Sequence, residues 1–140
     1  MIKITIISTG KFKEAWLKSA VAEYEKRIQS HILIDWVLYK NEEALYAAAR
    51  LEPRLVALSP CGKELDSERF SKEIFARLTQ GGSRMTILIG GASGIPKDLL
   101  DTVPSYSLSK LTWSHQTVRL LLIEQLYRAY TLEKGIPYHL

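Results

Sequence analysis

The sequence predicts one α/β domain spanning residues 1–140, a mainly parallel sheet with helices on both faces. Three observations carry that reading. Strand-like and helix-like segments alternate five times with short connections, the pattern of a sheet built from crossover units. Residues 55–58 (LVAL) and 85–89 (MTILI) are continuous apolar runs, as in strands covered on both faces. Finally, 140 residues at 46% hydrophobic suffice for one core, and no linker, repeat or low-complexity stretch divides them.

Residues 1–8 alternate as a strand, apolar at Ile2, Ile4 and Ile6, and Ile7 implies cover on both faces near its end. Gly10 turns the chain. Residues 13–29 have helical spacing, with Ala15, Trp16, Ala20, Tyr24 and Ile28 to one side and Lys18, Glu23, Glu25 and Arg27 outward. A second strand covers 32–39. Asn41 caps a short helix through Arg50, its side chain accepting first-turn amides. The strand at 55–58 ends in Ser59-Pro60-Cys61-Gly62, a turn by composition. Asp66 or Ser67 caps a helix to about Gln80, which Gly81 and Gly82 end. After the strand at 85–89 comes GGASG. Pro96 then suits the first turn of a short helix through Leu100, where its missing N–H is not needed.

Residues 106–108 form the last strand and 116–134 the last helix. That helix holds Val118, Leu120, Leu121, Leu122, Ile123, Leu126, Tyr127, Ala129 and Tyr130, so almost no polar face remains. It is expected to be buried nearly all round, by the sheet on one side and a second subunit on the other. Glu124 and Arg128 lie four apart on it and can pair, an arrangement that suits an interface or a site better than a plain core.

A formal charge of +4, spread over scattered lysines and arginines without a basic tail, is a mild push toward nucleic acid. One cysteine, Cys61, excludes an intrachain disulfide and argues against structural zinc. No base accompanies it, so it reads as a buried small residue. No segment nears the ~18 apolar residues of a membrane span, and the N-terminus has no signal-peptide core. A cytoplasmic protein without a membrane partner is expected.

The candidate chemistry lies at strand ends. Gly90, Gly91 and Gly94 follow a buried strand and permit close approach of a ligand, although such a run alone is more often an ordinary tight turn. It matches neither the Walker A pattern nor GxGxxG, which disfavours an ATPase or a dehydrogenase. The turn through Ser107, Leu108, Ser109, Lys110, Leu111 and Thr112 offers hydroxyls and backbone groups at another strand end. With Ser59-Pro60 these make three loops able to converge on one crevice. His115 and Arg119 share a side of the last helix near its start, where a histidine is more often capping or structural than a base. His31 has no polar companions and no special role is expected. Tyr138 and His139 follow Pro137 close to the buried helix, so this tail is expected to be tied down.

ILIGGASG, SLSKLT, the HxxxR of His115 and Arg119, IEQLYRA and the YH of Tyr138 and His139 resemble one family. It is the ribosomal RNA large subunit methyltransferase H family, SPOUT-class enzymes that methylate N3 of a pseudouridine in 23S ribosomal RNA. The likeness runs from ITIISTGK to the C-terminus and is most specific over 87–139. It implies a C-terminal trefoil knot, a rare exception to unknotted chains, and S-adenosyl-L-methionine bound in a bent form. The implied cofactor contacts are Leu58, Gly91, Leu108, Ser109, Lys110, Leu111, Thr112 and Trp113, with Gly90 and Gly94 shaping their loop. No metal is implied, because the sulfonium already activates the methyl group. The likeness also implies a homodimer through the last helix, with the active site completed across it. His139 beside Tyr138 becomes the first choice for base or orienting group. His115, Arg119, Glu124 and Arg128 become second choices, for placing substrate or holding the tail. Ribosomal RNA within the assembled ribosome is the implied partner, read by shape, with Lys11, Lys13 and Lys110 beside phosphates.

Three departures stand out. The stretch 40–53 is shorter than in the family, which affects local surface and RNA contacts and leaves the cofactor loops alone. Leu140 stands where a basic residue is usual, so one phosphate contact is lost. Trp113-Ser114 precedes His115 where a proline often sits. Rival readings are a SPOUT-fold methyltransferase of another RNA such as a transfer RNA, a binding protein of the same fold without activity, and a flavodoxin-like nucleotide or signalling domain.

Overall fold

The computed structural model describes residues 1–139; Leu140, with the phosphate contact it bears on, lies outside them. Five strands, β1 (Ile2–Thr9), β2 (Ile32–Tyr39), β3 (Leu55–Glu64), β4 (Arg84–Ile89) and β5 (Ser105–Ser107), form one sheet in the order β2-β1-β4-β3-β5. Every neighbouring pair is parallel. Helices alternate with them: α1 (Ala15–Ile28), α2 (Glu42–Ala49), α3 (Ser67–Gln80), α4 (Lys97–Leu100) and α5 (His115–Lys134).

Because successive strand residues point to opposite faces, each central strand feeds two cores. Ile4, Ile6, Val56 and Ile87 pack under α1, α3 and α5, against Leu17, Val21, Ile74, Leu122 and Leu126. Ile7, Ala57 and Leu88 pack on the other face, against Leu45, Tyr46 and Ala49 of α2 and Leu99 of α4. The double cover read from Ile6 and Ile7 is therefore present. α5 packs between α1 and α3.

Helix starts follow their capping residues. Asn41 accepts from the amide of Ala44 at 2.8 Å, and Asp66 from that of Arg69 at 2.8 Å. Ser114 accepts from the amide of Thr117 at 3.1 Å and caps α5. Pro96 lies just before α4 instead of inside its first turn.

Several expectations need correction. On α1 the sheet-facing residues are Leu17, Val21 and Ile28, while Trp16 is 61% exposed. Ile28 is buried and Tyr24 packs against the core as expected, but Leu17 and Val21 take the inner positions where Trp16 and Ala20 were expected. The segment 59–62 does not end β3. Leu58 and Lys63 both pair with Tyr106, so these residues loop out and the strand resumes. Gly62 is pressed against β5, where an added Cβ lies 2.8 Å from the backbone of Ser105 and Tyr106. Cys61, on this outward loop, is exposed and not buried. His31 does have polar companions, its Nδ1 lying 2.8 Å from both Ser30 Oγ and Tyr130 Oη. α5 is buried along Leu122, Ile123, Leu126, Ala129 and Tyr130, but Leu120, Leu121 and Tyr127 are half-buried, so one chain does not cover it all round.

Candidate active site

The carboxyl ends of β3, β4 and β5 open into one cleft of about 620 Å³, within the range of small-molecule sites. Leu58, Ile89, Ile95, Leu100, Leu108 and Val118 give it aliphatic walls. Ser59 and Pro60, the glycine loop through Gly90, Gly91, Ala92 and Gly94, and Ser109, Leu111, Thr112, Trp113 and His115 also line it. The three loops expected to converge do so. Lys110 is the exception, since its ammonium turns to the surface 3.4 Å from the Glu64 carboxylate.

Hydroxyls of the 107–112 turn are engaged with their own backbone. Ser107 Oγ donates to the Ser109 carbonyl at 2.9 Å, and Ser109 Oγ accepts from the Leu111 amide at 3.0 Å. Such local bonds fix the turn's shape. In the glycine loop, Gly94 has φ +82° and its amide donates to the Gly91 carbonyl at 3.0 Å. Side chains cannot be added freely here: a Cβ on Gly90 lies 2.6 Å from Ile95, and one on Gly91 lies 2.5 Å from Glu42. Apolar walls with closely approaching backbone fit a flat purine nucleoside carrying an aliphatic arm, as S-adenosylmethionine does through its sulfonium.

His115 opens α5 on the rim of this cleft. Burial pushes its imidazole below the ordinary value, and the nearby Arg119 and Lys13 charges act the same way, with Glu42 opposing them. Arg119 itself is fully buried. Its Nη2 donates to the carbonyls of Thr9 at 2.6 Å and Gly10 at 2.8 Å, and its guanidinium lies 4.8 Å from the Phe12 ring centroid. Burial lowers its pKa to about 10. One turn back, Gln116 donates to the Lys11 carbonyl and accepts from the Lys13 amide. Together Arg119 and Gln116 staple the β1–α1 loop to the start of α5.

The tail is tied down, as expected. Arg128 Nη2 donates to Glu124 Oε1 at 2.5 Å, and Arg128 Nη1 lies 3.0 Å from His139 Nδ1. The Tyr138 ring meets Tyr127 edge-on at 4.6 Å, with the Arg128 guanidinium 4.8 Å from its centroid. Tyr138 donates to Glu124 Oε1 at 3.3 Å. Burial, then a hydrogen bond with Tyr24 and the Glu124 charge, pushes its phenol up to about 12. Arginine has only donors, so His139 Nδ1 accepts and the ring proton sits on Nε2. His139 lines a second hollow with Ser107 and Leu108, and Leu108 also lines the main cleft. Tail and cleft thus meet at Leu108.

Sequence reading missed Tyr46 and Glu42. Tyr46, buried on α2, accepts from the Gly91 amide at 3.0 Å and lies 2.9 Å from the Gly94 carbonyl and 3.2 Å from Glu42 Oε1. The stretch 40–53, expected to leave the loops of the cleft alone, therefore carries two residues that hold the glycine loop. The four-residue spacing of Glu42 and Tyr46 is the only local hint of a shared face.

Over residues 2–139 the chain matches a family model described as predicted SPOUT methyltransferase. It is 42% identical over 139 residues, 99% of either protein, to ribosomal RNA large subunit methyltransferase H of Protochlamydia amoebophila (strain UWE25). Among solved structures it is similar to TrmJ from Z. mobilis ZM4, with a TM-score of 0.52 over 94% of this chain and 70% of that one. Identity there is 8%, so the likeness is one of fold.

Proposed function

The chain belongs to the SPOUT methyltransferase family, and on that premise we propose that it methylates N3 of a pseudouridine in large-subunit ribosomal RNA, using S-adenosylmethionine. The carrying observation is the convergence of the glycine loop, Leu58 and the 108–113 turn on one cleft whose far wall, Leu108, adjoins the His139 tail. The near full-length identity to a ribosomal RNA methyltransferase supports the substrate class.

When bound, S-adenosylmethionine supplies an electrophilic sulfonium methyl. Leu58, Gly91, Leu108, Ser109, Leu111, Thr112 and Trp113 would hold it, with Lys110 contributing backbone only, and Gly90 and Gly94 would keep its loop tight. Leu58, Leu108 and Val118 would keep water off it along the apolar wall. The N3 imide of the acceptor must lose its proton, and a positioned cation or N–H donor favours the resulting anion. His139 presents Nε2–H and Arg128 a guanidinium, so in this arrangement His139 orients and stabilises, and acts as base only when Arg128 releases Nδ1. Glu124 fixes Arg128, and Tyr138, which keeps its proton far above neutral pH, fixes the tail as a donor. His115 places substrate at the rim, while Arg119 acts indirectly by holding the β1–α1 loop.

Half-buried Leu120, Leu121 and Tyr127 on α5 support a homodimer in which this helix is the interface. The strand order and the return of α5 to mid-sheet after edge strand β5 are compatible with a trefoil knot. Lys11 and Lys13, on the stapled loop beside His115, are the phosphate contacts, with Lys110 an outer one. Such a protein works in the cytoplasm on the assembled ribosome. No helix among the described residues is long and apolar enough to cross a membrane.

The test is methyl-labelled S-adenosylmethionine with ribosomes lacking this methyl group, beside a His139→Ala variant. Label in large-subunit RNA with wild type and at least ~10-fold less with the variant, in line with a general acid–base or orienting role, is the expected result. Label in transfer RNA instead moves the target, and cofactor binding without label means a binding protein.

A further inference from the structure

The glycine loop is closed by one bond of its own, from the Gly94 amide to the Gly91 carbonyl, and is also held from outside. One side chain from the opposite layer of the sheet, Tyr46, satisfies both ends of it: the amide of Gly91 at 3.0 Å and the carbonyl of Gly94 at 2.9 Å. The phenol has one proton, so it donates to Gly94 or to Glu42 Oε1, 3.2 Å away, but not to both at once. Burial raises the Tyr46 pKa and so keeps that proton in place. Its ring is anchored in the second core with Leu45, Ala49, Leu88 and Leu99, which fixes where the hydroxyl sits. Glu42 lies against Gly91, closing the space where a larger residue would put its Cβ. No residue lining the cleft carries a carboxylate, so Glu42 is a carboxylate held just behind the lining.

We propose that Tyr46 and Glu42 form a brace that positions the glycine loop for the methyl donor, making α2 part of the binding apparatus. This rests on the reading of the cleft as the S-adenosylmethionine site. A loop held in its bound shape spares the ordering that binding otherwise requires. Removing the hydroxyl leaves the Gly91 amide and Gly94 carbonyl without their partner, and a bond of this kind contributes on the order of 1 kcal/mol, which is about fivefold in affinity.

The experiment measures binding of S-adenosylhomocysteine by calorimetry, and KM and kcat with S-adenosylmethionine. Wild type is compared with Tyr46→Phe, Glu42→Gln and Glu42→Ala, and with Arg50→Gln, which breaks the ion pair between the C-terminal cap of α2 and Asp98 of α4. The expected result is a Kd and KM about fivefold higher for Tyr46→Phe at an unchanged kcat. Glu42→Gln, which can still accept from Tyr46, stays near wild type, Glu42→Ala is weakened, and Arg50→Gln binds normally. Tyr46→Phe binding with wild-type affinity overturns the brace. So does equal weakening in Arg50→Gln, which would mark a general loss of helix stability. If Tyr46→Phe does not fold, the Gln-versus-Ala contrast at Glu42 decides in the same way. Failure of wild type to bind at all removes the cofactor reading instead, a distinguishable outcome.

Discussion

His115 shows how much of this site is set by the placement of one ring. It stands at the first position of α5, on the cleft rim, with a buried arginine one turn below. Burial and the Arg119 charge lower its pKa from the ordinary 6.5. Between the lowered folded value and 6.5 the unfolded chain binds more protons than the folded one. Stability is therefore fully present above about 6.5 and is lost as pH falls toward the folded value. The unfolding midpoint should drop between pH 7 and 5.5, and His115→Gln should flatten that slope. An identical slope in the variant assigns the pH dependence to other groups. The helical spacing of His115 and Arg119 was legible in the sequence. Their division of labour, rim for one and interior for the other, was not, because it depends on where Thr9 and Gly10 lie.

At the scale of elements, the capped helix starts at Asn41 and Asp66 and the two-sided strands were legible because their signals are local: a side chain and an amide three residues on, or an uninterrupted apolar run. β3 was misread for the opposite reason. Pro60 and Gly62 announce a turn, and the chain does loop out, but its return to the sheet is dictated by pairing with Tyr106 and Ser107 far downstream. Gly62 is the residue that this return requires. Gly62→Ala puts a methyl 2.8 Å from β5 backbone, and an overpacked position of this kind costs about 1–3 kcal/mol. Urea unfolding should show that loss. Cofactor binding should weaken with it, since Ser59 and Pro60 on the same loop line the cleft. Unchanged stability means that β5, an edge strand, gives way. The first turn of α1 was misassigned because Trp16 and Leu17 are equally apolar in a periodicity argument, and only the packing against the rest of the molecule separates them.

For the whole molecule, the apolar surplus of α5 was the clearest long-range message in the sequence. One chain answers half of it: the inner face is buried and Leu120, Leu121 and Tyr127 are left half-covered. In the homodimer proposed above, a second copy packed there would cover the rest. Leu121→Arg places a charge in that interface, and sedimentation should find a folded monomer in place of a dimer, with transfer activity reduced at least ~10-fold where the site is shared between subunits. A dimer that survives the substitution moves the interface elsewhere. The grip of Arg119 on Thr9 and Gly10 has a further consequence, for the order of events during synthesis. The two partners lie more than a hundred residues apart in the chain, and contacts of that kind form late, because much of the chain must be closed up before they are made. A nascent polypeptide exposes its Lys11–Lys13 loop early and unanchored. Only after α5 has been made does that loop acquire its arginine, so this edge of the molecule matures last although it is encoded first.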